Sequence, residues 1–196
     1  MEKDRLLAFS DGVIAIIITI MVLELRPPHE PTLDALRALA PTFLSYVLSF
    51  IYIAIYWNNH HHMLYAAKAV NGAILWANMA LLFCLSLVPF TTAWLGETAG
   101  APLPTAIYGA SLILPAFTYL ILQTLIVRAD GPDSVLARAI HASGWGDWKG
   151  KLSPLFYAAG IAMAFFTPIV SWVLYVLVAL IWLVPDRRIE RVVAGS

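Results

Sequence analysis

The chain alternates long apolar stretches with short polar segments, and the apolar stretches have the length of membrane-spanning helices. A helix rises about 1.5 Å per residue, so about 20 apolar residues are needed to cross roughly 30 Å of hydrocarbon. The pattern predicts helices at about 5–26, 41–63, 69–94, 103–128, 151–167 and 168–186. Together these helices make residues 1–196 one all-α transmembrane domain.

The last apolar stretch determines how many times the chain crosses the membrane. Residues 152–184 form an uninterrupted apolar run, which would be about 50 Å long as a single helix. Thr167-Pro168 lies near the middle of this run, and proline removes a backbone donor and clashes with the preceding turn. We therefore predict a hairpin of two helices here and six spans in all. Pro41 is expected in the first turn of the second helix, and Pro115 is expected to kink the fourth.

Composition and charge agree with this topology. Hydrophobic residues make up 61% of the chain and charged residues 12%, whereas soluble domains average about 45–50% and roughly 25%. With six spans, both termini share a side with the 63–68 and 128–151 loops. Positively charged loops remain in the cytoplasm, so we expect both termini to be cytoplasmic and the protein to lie in the cell membrane. Only Arg26 and Arg37 face the other side, against ten basic residues on the cytoplasmic side: Lys3, Arg5, Lys68, Arg128, Arg138, Lys149, Lys151, Arg187, Arg188 and Arg191.

Several functional classes find no support in the sequence. The net charge is zero, so nothing indicates a nucleic-acid partner. Cys84 is the only cysteine, which excludes a disulfide within the chain. Phosphate-binding loops, His-Glu-x-x-His and a nucleophile with its base are all missing, so we expect neither an enzyme nor a cofactor. The Thr-Val-Gly-Tyr-Gly filter of ordinary potassium channels is missing too.

Polar side chains on the first three helices fall in one layer near the cytoplasmic side. An aspartate at mid-membrane costs about 2.5–3.5 kcal/mol, and less near the interface, so Asp11 is expected to face protein unless it is a simple interfacial anchor. Hydrogen bonds between membrane helices contribute about 0.6–2 kcal/mol each and fix how the helices pack. We therefore predict that these side chains form a hydrogen-bonded polar layer between the three helices. Its candidate members are Arg5, Ser10, Asp11, Trp57, Asn58, Asn59, the histidines at 60–62, Asn71, Trp76 and Asn78.

Three consecutive histidines, His60, His61 and His62, admit more than one interpretation. On a helix they point about 100° apart and cannot all face one ion, and no Cys, Asp or Glu stands beside them at ligand spacing, so we expect no metal site. Histidine titrates near neutral pH, which leaves proton sensing open. The favoured role for one of them is hydrogen bonding to the first helix.

An apolar stripe runs along the first helix. Ile16, Ile20 and Leu23 recur at spacings of four and three, with Thr19 beside them. Such a stripe usually faces lipid or a neighbouring helix. The alternative is a pore lining, because rings of branched aliphatic side chains form constrictions that gate by dewetting. Thr19 would then supply hydroxyl groups near a permeating cation.

The first helix resembles the signature of a known family. The endolysosomal potassium channels and their prokaryotic relatives carry an Arg-x-x-x-Phe-Ser-Asp motif, matched here by Arg5, Phe9, Ser10 and Asp11. The segments from Trp57 to His61 and from Asn71 to Phe90 are also similar. Animal members carry two six-helix repeats, and the length of this chain fits the single-repeat prokaryotic form.

The resemblance implies a homotetramer in a prokaryotic cell membrane, with potassium as the permeant ion and no cofactor. Four copies of helix one would surround the pore, with the constriction at Ile16, Ile20 and Leu23 and a selectivity-assisting hydroxyl layer at Thr19. The family's structural polar network would comprise Arg5, Phe9, Ser10, Asp11, Trp57, His61 and Asn71, with the choice among the three histidines open.

A secondary transporter is the main alternative. Proton- or cation-coupled transport would use Asp11 and the cluster from His60 to His62. Carriers usually show internal repeats and helices broken at the midplane, and the sequence displays neither within six helices. A non-conducting membrane scaffold is a weaker alternative.

Overall fold

The computed structural model describes residues 3–141 and 148–183, and this part of the chain consists of helices joined by turns and short loops. The predicted all-α class is confirmed. The helices, numbered in chain order, are α1 Lys3–Leu23, α2 Leu33–Ala38, α3 Ala40–Ala66, α4 Gly72–Ser86, α5 Val88–Glu97, α6 Pro102–Asp130, α7 Val135–His141, α8 Trp148–Met163 and α9 Pro168–Leu183.

Within the described residues, four helical segments are long and apolar enough to cross a membrane: Lys3–Leu23, Ala40–Ala66, Gly72–Glu97 and Pro102–Asp130. The apolar parts of the last two helices, Leu152–Met163 and Pro168–Leu183, are shorter. The chain turns between α8 and α9, immediately before Pro168, as the proline position predicts. The sixth predicted helix, 168–186, continues past the described residues.

Proline also divides the third span, which the sequence predicts as one helix over about 69–94. α4 ends at Ser86 and α5 begins at Val88, with Pro89 in the first turn of α5. Proline lacks the amide hydrogen that a continuing helix would need, but it is well suited to a first turn. By contrast, α6 continues as one helix through Pro115, and Pro41 lies in the first turn of α3 as expected.

α1 packs against α3, α4 and α5 through one face. The apolar side chains on that face are fully buried and join a core cluster shared with α3, α4, α6 and α7: Leu6, Ile14, Ile17 and Met21. The first turn of α1 is tied to the end of α3, because Nζ of Lys3 donates to the carbonyl oxygens of Tyr65 (2.9 Å) and Ala67 (3.1 Å). These contacts define which face of α1 remains uncovered.

A second core lies between α3, α5, α6, α8 and α9 and is built around tyrosines. The ring of Tyr175 fits against Gly109 on α6 and Gly160 on α8, and a methyl group added at either glycine would overlap it. Buried hydroxyls also bridge these helices, with Ser49 bonded to Tyr108 (2.8 Å) and to Thr92 (2.7 Å). α3 and α6 contribute to both cores, so they connect the α1 side of the bundle to the α8–α9 hairpin.

Candidate functional site

The face of α1 opposite the bundle carries the aliphatic stripe predicted from the sequence. Ile16, Ile20 and Leu23 are 59%, 41% and 77% exposed, whereas Ile17 and Met21 on the other face are at most 3% exposed. Thr19 is exposed beside the stripe, and its hydroxyl donates to the carbonyl oxygen of Ile16 at 2.9 Å. The described residues of one copy therefore leave much of the stripe uncovered.

A cleft of about 460 Å³ opens beside this stripe, between α1 and the α4–α5 span. Ile16 and Ile20 form part of its wall, and Pro89 and Phe90 form the opposite side. The lining is almost entirely apolar, and Glu24 is the acidic residue that lines it. The cleft is thus continuous with the exposed stripe.

A fully buried hydrogen-bond chain joins α3, α4 and α1. Nε2 of His60 lies 2.6 Å from Oδ1 of Asn78, and Nδ2 of Asn78 donates to Oγ of Ser10 at 3.0 Å. The amide oxygen of Asn78 can only accept, so Nε2 of His60 carries the hydrogen. All three side chains have no exposed surface. We call His60, Asn78 and Ser10 the polar lock.

A second hydrogen bond connects the same helices closer to the surface. The indole Nε1 of Trp57 donates to Oδ1 of Asp11 at 2.9 Å. Trp57 is partly exposed and Asp11 is half-buried, so this bond is accessible to water or headgroups. Asp11 is therefore paired with protein, as its position within an apolar helix predicts.

Several residues predicted for the polar network lie outside the lock. Asn71 caps the N-terminus of α4, where its side chain accepts from the amide of Ile74 at 3.0 Å. His61 is rotated about 100° from His60 and packs between the rings of Trp57 and Tyr65, with centroids 5.9 and 6.4 Å away.

Arg5 and Phe9 also lie outside the lock. Both are exposed on α1, on the side that carries the aliphatic stripe. Among the described residues Arg5 has neither a hydrogen bond nor an ion pair. The structure therefore brings Ser10, Asp11 and Trp57 together with His60 and Asn78, and leaves Arg5, Phe9, His61 and Asn71 apart.

Asn78 is the central residue of the lock, and the prediction named it in the layer without selecting it for the network. It lies inside an otherwise apolar helix, where an amide must find a partner from another helix. Asn71 precedes the first residue of the same helix, a position at which asparagine is a preferred cap. The positions of Asn71 and Asn78 relative to the start of the apolar helix are therefore the signal that distinguishes the helix cap from the buried residue.

Metal coordination finds no support in the described part of the chain, where no group of three His, Cys, Asp or Glu side chains converges. Cys84 is buried as a free thiol. The features available for function are the exposed stripe, the cleft beside it, and the lock behind it.

The chain is similar to proteins that are named or described as ion channels. The family described as "Endosomal/lysosomal potassium channel TMEM175" matches residues 5–89. A potassium channel of Chryseobacterium sp. (strain P1-3) is 52% identical over 191 residues, covering 97% of each chain. The fold is similar to a crystal structure described as a lysosomal potassium-selective channel TMEM175 homolog from Chamaesiphon minutus, with a TM-score of 0.81 and 27% identity over 94% of this chain and 98% of that chain.

Animal proteins match over a shorter region. A protein of Gallus gallus named "Endosomal/lysosomal proton channel TMEM175" is 35% identical over 100 residues. The match covers 44% of this chain and 19% of the animal protein.

Proposed function

The chain belongs to the TMEM175 family, as the Arg-x-x-x-Phe-Ser-Asp signature predicts, and we propose on this premise that it forms a potassium-selective channel. The observation that carries the proposal is its 52% identity, over 97% of both chains, to a bacterial protein named as a potassium channel. It conducts ions passively and is not an enzyme.

The channel is a homotetramer in which four copies of α1 surround the axis. The exposed stripe faces that axis, so Ile16 forms the narrowest ring, with rings of Ile20 and Leu23 further toward the outside. Stacked aliphatic rings expel water when narrow, and this dewetting closes the pathway to hydrated ions. The support is the exposure of all three side chains in one copy, while the opposite face of α1 is fully buried.

Thr19 supplies a layer of oxygen atoms beside the constriction. Its hydroxyl hydrogen is used in the bond to the carbonyl of Ile16, so the oxygen lone pairs remain free to face a cation. This layer assists selection of potassium in a pore that lacks the Thr-Val-Gly-Tyr-Gly filter.

The subunit crosses the membrane six times, with both termini in the cytoplasm of a prokaryotic cell. Four spans are long, and the α8–α9 hairpin supplies the other two. The apolar part of α8, Leu152–Met163, covers about 18 Å of helix and the 16 residues of α9 cover about 24 Å, against the roughly 30 Å of a bilayer core. The distribution of lysine and arginine favours this orientation.

Potassium flux from liposomes containing purified protein, with sodium as the competing ion, tests the function. Ile16→Asn should hydrate the constriction, raise the flux and reduce discrimination against sodium. Ile121→Asn on α6 is a matched control, because Ile121 is 55% exposed in one copy and Ile16 is 59% exposed. Equal effects of the two substitutions would contradict the placement of Ile16 at the gate, and an absence of potassium flux from the parent protein would contradict the function.

Proton conduction is a second candidate, favoured by the name of the Gallus gallus relative. A pH-sensitive dye in the same liposomes measures it directly. Proton flux that persists without potassium would support this candidate. Slow transport that saturates with ion concentration would instead indicate a coupled carrier using Asp11 and the histidines.

A further inference from the structure

The exposed stripe divides the outer side of α1 into two different flanks. Residues on a helix are about 100° apart, so Val13 and Ile17 fall on one side of Ile16, and Glu24 directly follows the last residue of the helix. These three residues line the cleft. The opposite side carries exposed residues with small side chains, which we call the small flank: Ala8, Gly12, Ala15 and Thr19.

The small flank is open in a single copy. A methyl group added at Gly12 would have no atom within 4 Å. Small residues let membrane helices approach closely and gain packing contacts that lipid does not supply. The cleft on the other side of the stripe is a cavity bounded by the larger side chains of Ile17 and Phe90. The small flank thus projects little side-chain volume, and the other flank contains a cavity.

A ring of identical subunits requires two different surfaces that fit each other on either side of the axis. We propose that the small flank of α1 in each copy docks into the cleft of the next copy. This inference rests on the proposed tetramer and identifies the surfaces that form it. It places Thr19 at the seam between two subunits, within reach of the α5 wall of its neighbour.

Charge at the outer end of α1 supports a second copy as the occupant of the cleft. Glu24 lines the cleft, and Arg26 follows the helix that carries the small flank. Both are exposed, and neither forms an ion pair within the described part of one copy. In the ring, Arg26 of each copy faces Glu24 of the next, so docking joins opposite charges as well as apolar surfaces.

Cysteine cross-linking tests the docking directly, after the single native cysteine is removed by Cys84→Ala. Thr19→Cys is placed in one tagged chain and Ala93→Cys, from the cleft wall, in a second chain with another tag. Co-expression and mild oxidation should give a disulfide-linked dimer that carries both tags. A single chain with both cysteines should give products up to the tetramer on a non-reducing gel.

Ala162→Cys provides the matched control, because Ala162 is an exposed small residue near the outer end of α8. Paired with Ala93→Cys, it should cross-link no more than either cysteine alone. Far-ultraviolet circular dichroism of each unoxidised variant verifies that it has folded. Equal cross-linking of Ala93→Cys to Thr19→Cys and to Ala162→Cys would overturn the docking.

Charge exchange gives an independent readout. Glu24→Arg and Arg26→Glu should each lower the tetramer fraction measured by light scattering after size exclusion, and the double exchange should restore it. A double exchange no better than the worse single variant would overturn the ion pair. If tetramers conduct but Ala93→Cys reacts with a membrane-soluble maleimide, lipid occupies the cleft, and the docking is wrong while the proposed function stands. A monomeric, non-conducting parent would instead contradict the proposed function.

Discussion

Two asparagines on the same helix should differ sharply in their importance. Asn78 lies at the centre of the polar lock, and Asn71 caps the start of α4 seven residues earlier. Asn78→Ala and Asn71→Ala therefore make the same chemical change at two sites that differ in burial and partner. We expect Asn78→Ala to be the more destabilising by a wide margin.

The magnitude follows from what each substitution leaves unpaired. After Asn78→Ala, Ser10 can turn its hydroxyl to a carbonyl of its own helix. The Nε2–H group of His60 has no such alternative acceptor, and a buried donor without a partner costs about 1–3 kcal/mol. The cavity left by the removed amide group adds to this cost, so we expect a loss of about 2–4 kcal/mol in the free energy of unfolding. Loss of an N-cap costs typically about 1 kcal/mol, and Asn71 is exposed, so water replaces part of its bond.

Reversible unfolding in mixed detergent micelles, followed by far-ultraviolet circular dichroism, measures both variants at one protein concentration. A third variant combines Ser10→Ala, His60→Leu and Asn78→Leu. Replacing all partners of a buried bond by apolar groups can be nearly neutral, so this variant should recover most of the loss. Equal destabilisation by Asn78→Ala and Asn71→Ala would show that the lock is not formed in the membrane protein.

Two further substitutions probe the bond between α1 and α3 and the packing of the second core. Trp57→Phe removes the donor to Asp11 and should lower the free energy of unfolding by less than about 1 kcal/mol, because the bond is partly exposed. Asp11→Asn keeps an accepting oxygen and should be close to neutral. Asp11→Ala should reduce the tetramer fraction more than the potassium-to-sodium flux ratio, and a normal tetramer with altered ion preference would contradict this. Gly109→Ala forces a methyl group against Tyr175 and should cost about 1–3 kcal/mol by thermal unfolding. Gly72→Ala meets no atom within 4 Å, so a similar loss there would refute the packing argument.

Much of the fold could be predicted because apolar length alone identifies membrane helices. The four long spans and the turn before Pro168 follow from run length and one proline. The break at Pro89 was missed because proline is compatible with either a kink or a first turn, and the neighbouring residues do not distinguish the two. Hydropathy cannot make that distinction, since α4 and α5 are apolar on both sides of the break.

The site was harder to predict because periodicity does not identify the surface that a helix face contacts. Ile16 and Ile17 are equally apolar, yet one is 59% exposed and the other is 3% exposed. His60 and His61 differ by one position and point in directions about 100° apart. Only the position of Asn78 on a neighbouring helix decides which histidine joins the lock. That information lies in tertiary packing, and it enters a sequence argument only through the rule that an amide within an apolar helix needs a partner.

The lock and the stripe occupy opposite sides of α1, and this arrangement links stability to conduction. Apolar packing alone holds the rotation of a membrane helix weakly, because lipid chains are as apolar as the side chains they would replace. Directional bonds to Ser10 and Asp11 fix that rotation from behind. In the proposed tetramer, a rotation by one residue, about 100°, would replace Ile16 on the axis by Ala15 or Ile17 and turn the flanks of α1 away from their neighbours. Loss of the lock should therefore abolish assembly of the pore before it alters which ion an assembled pore prefers.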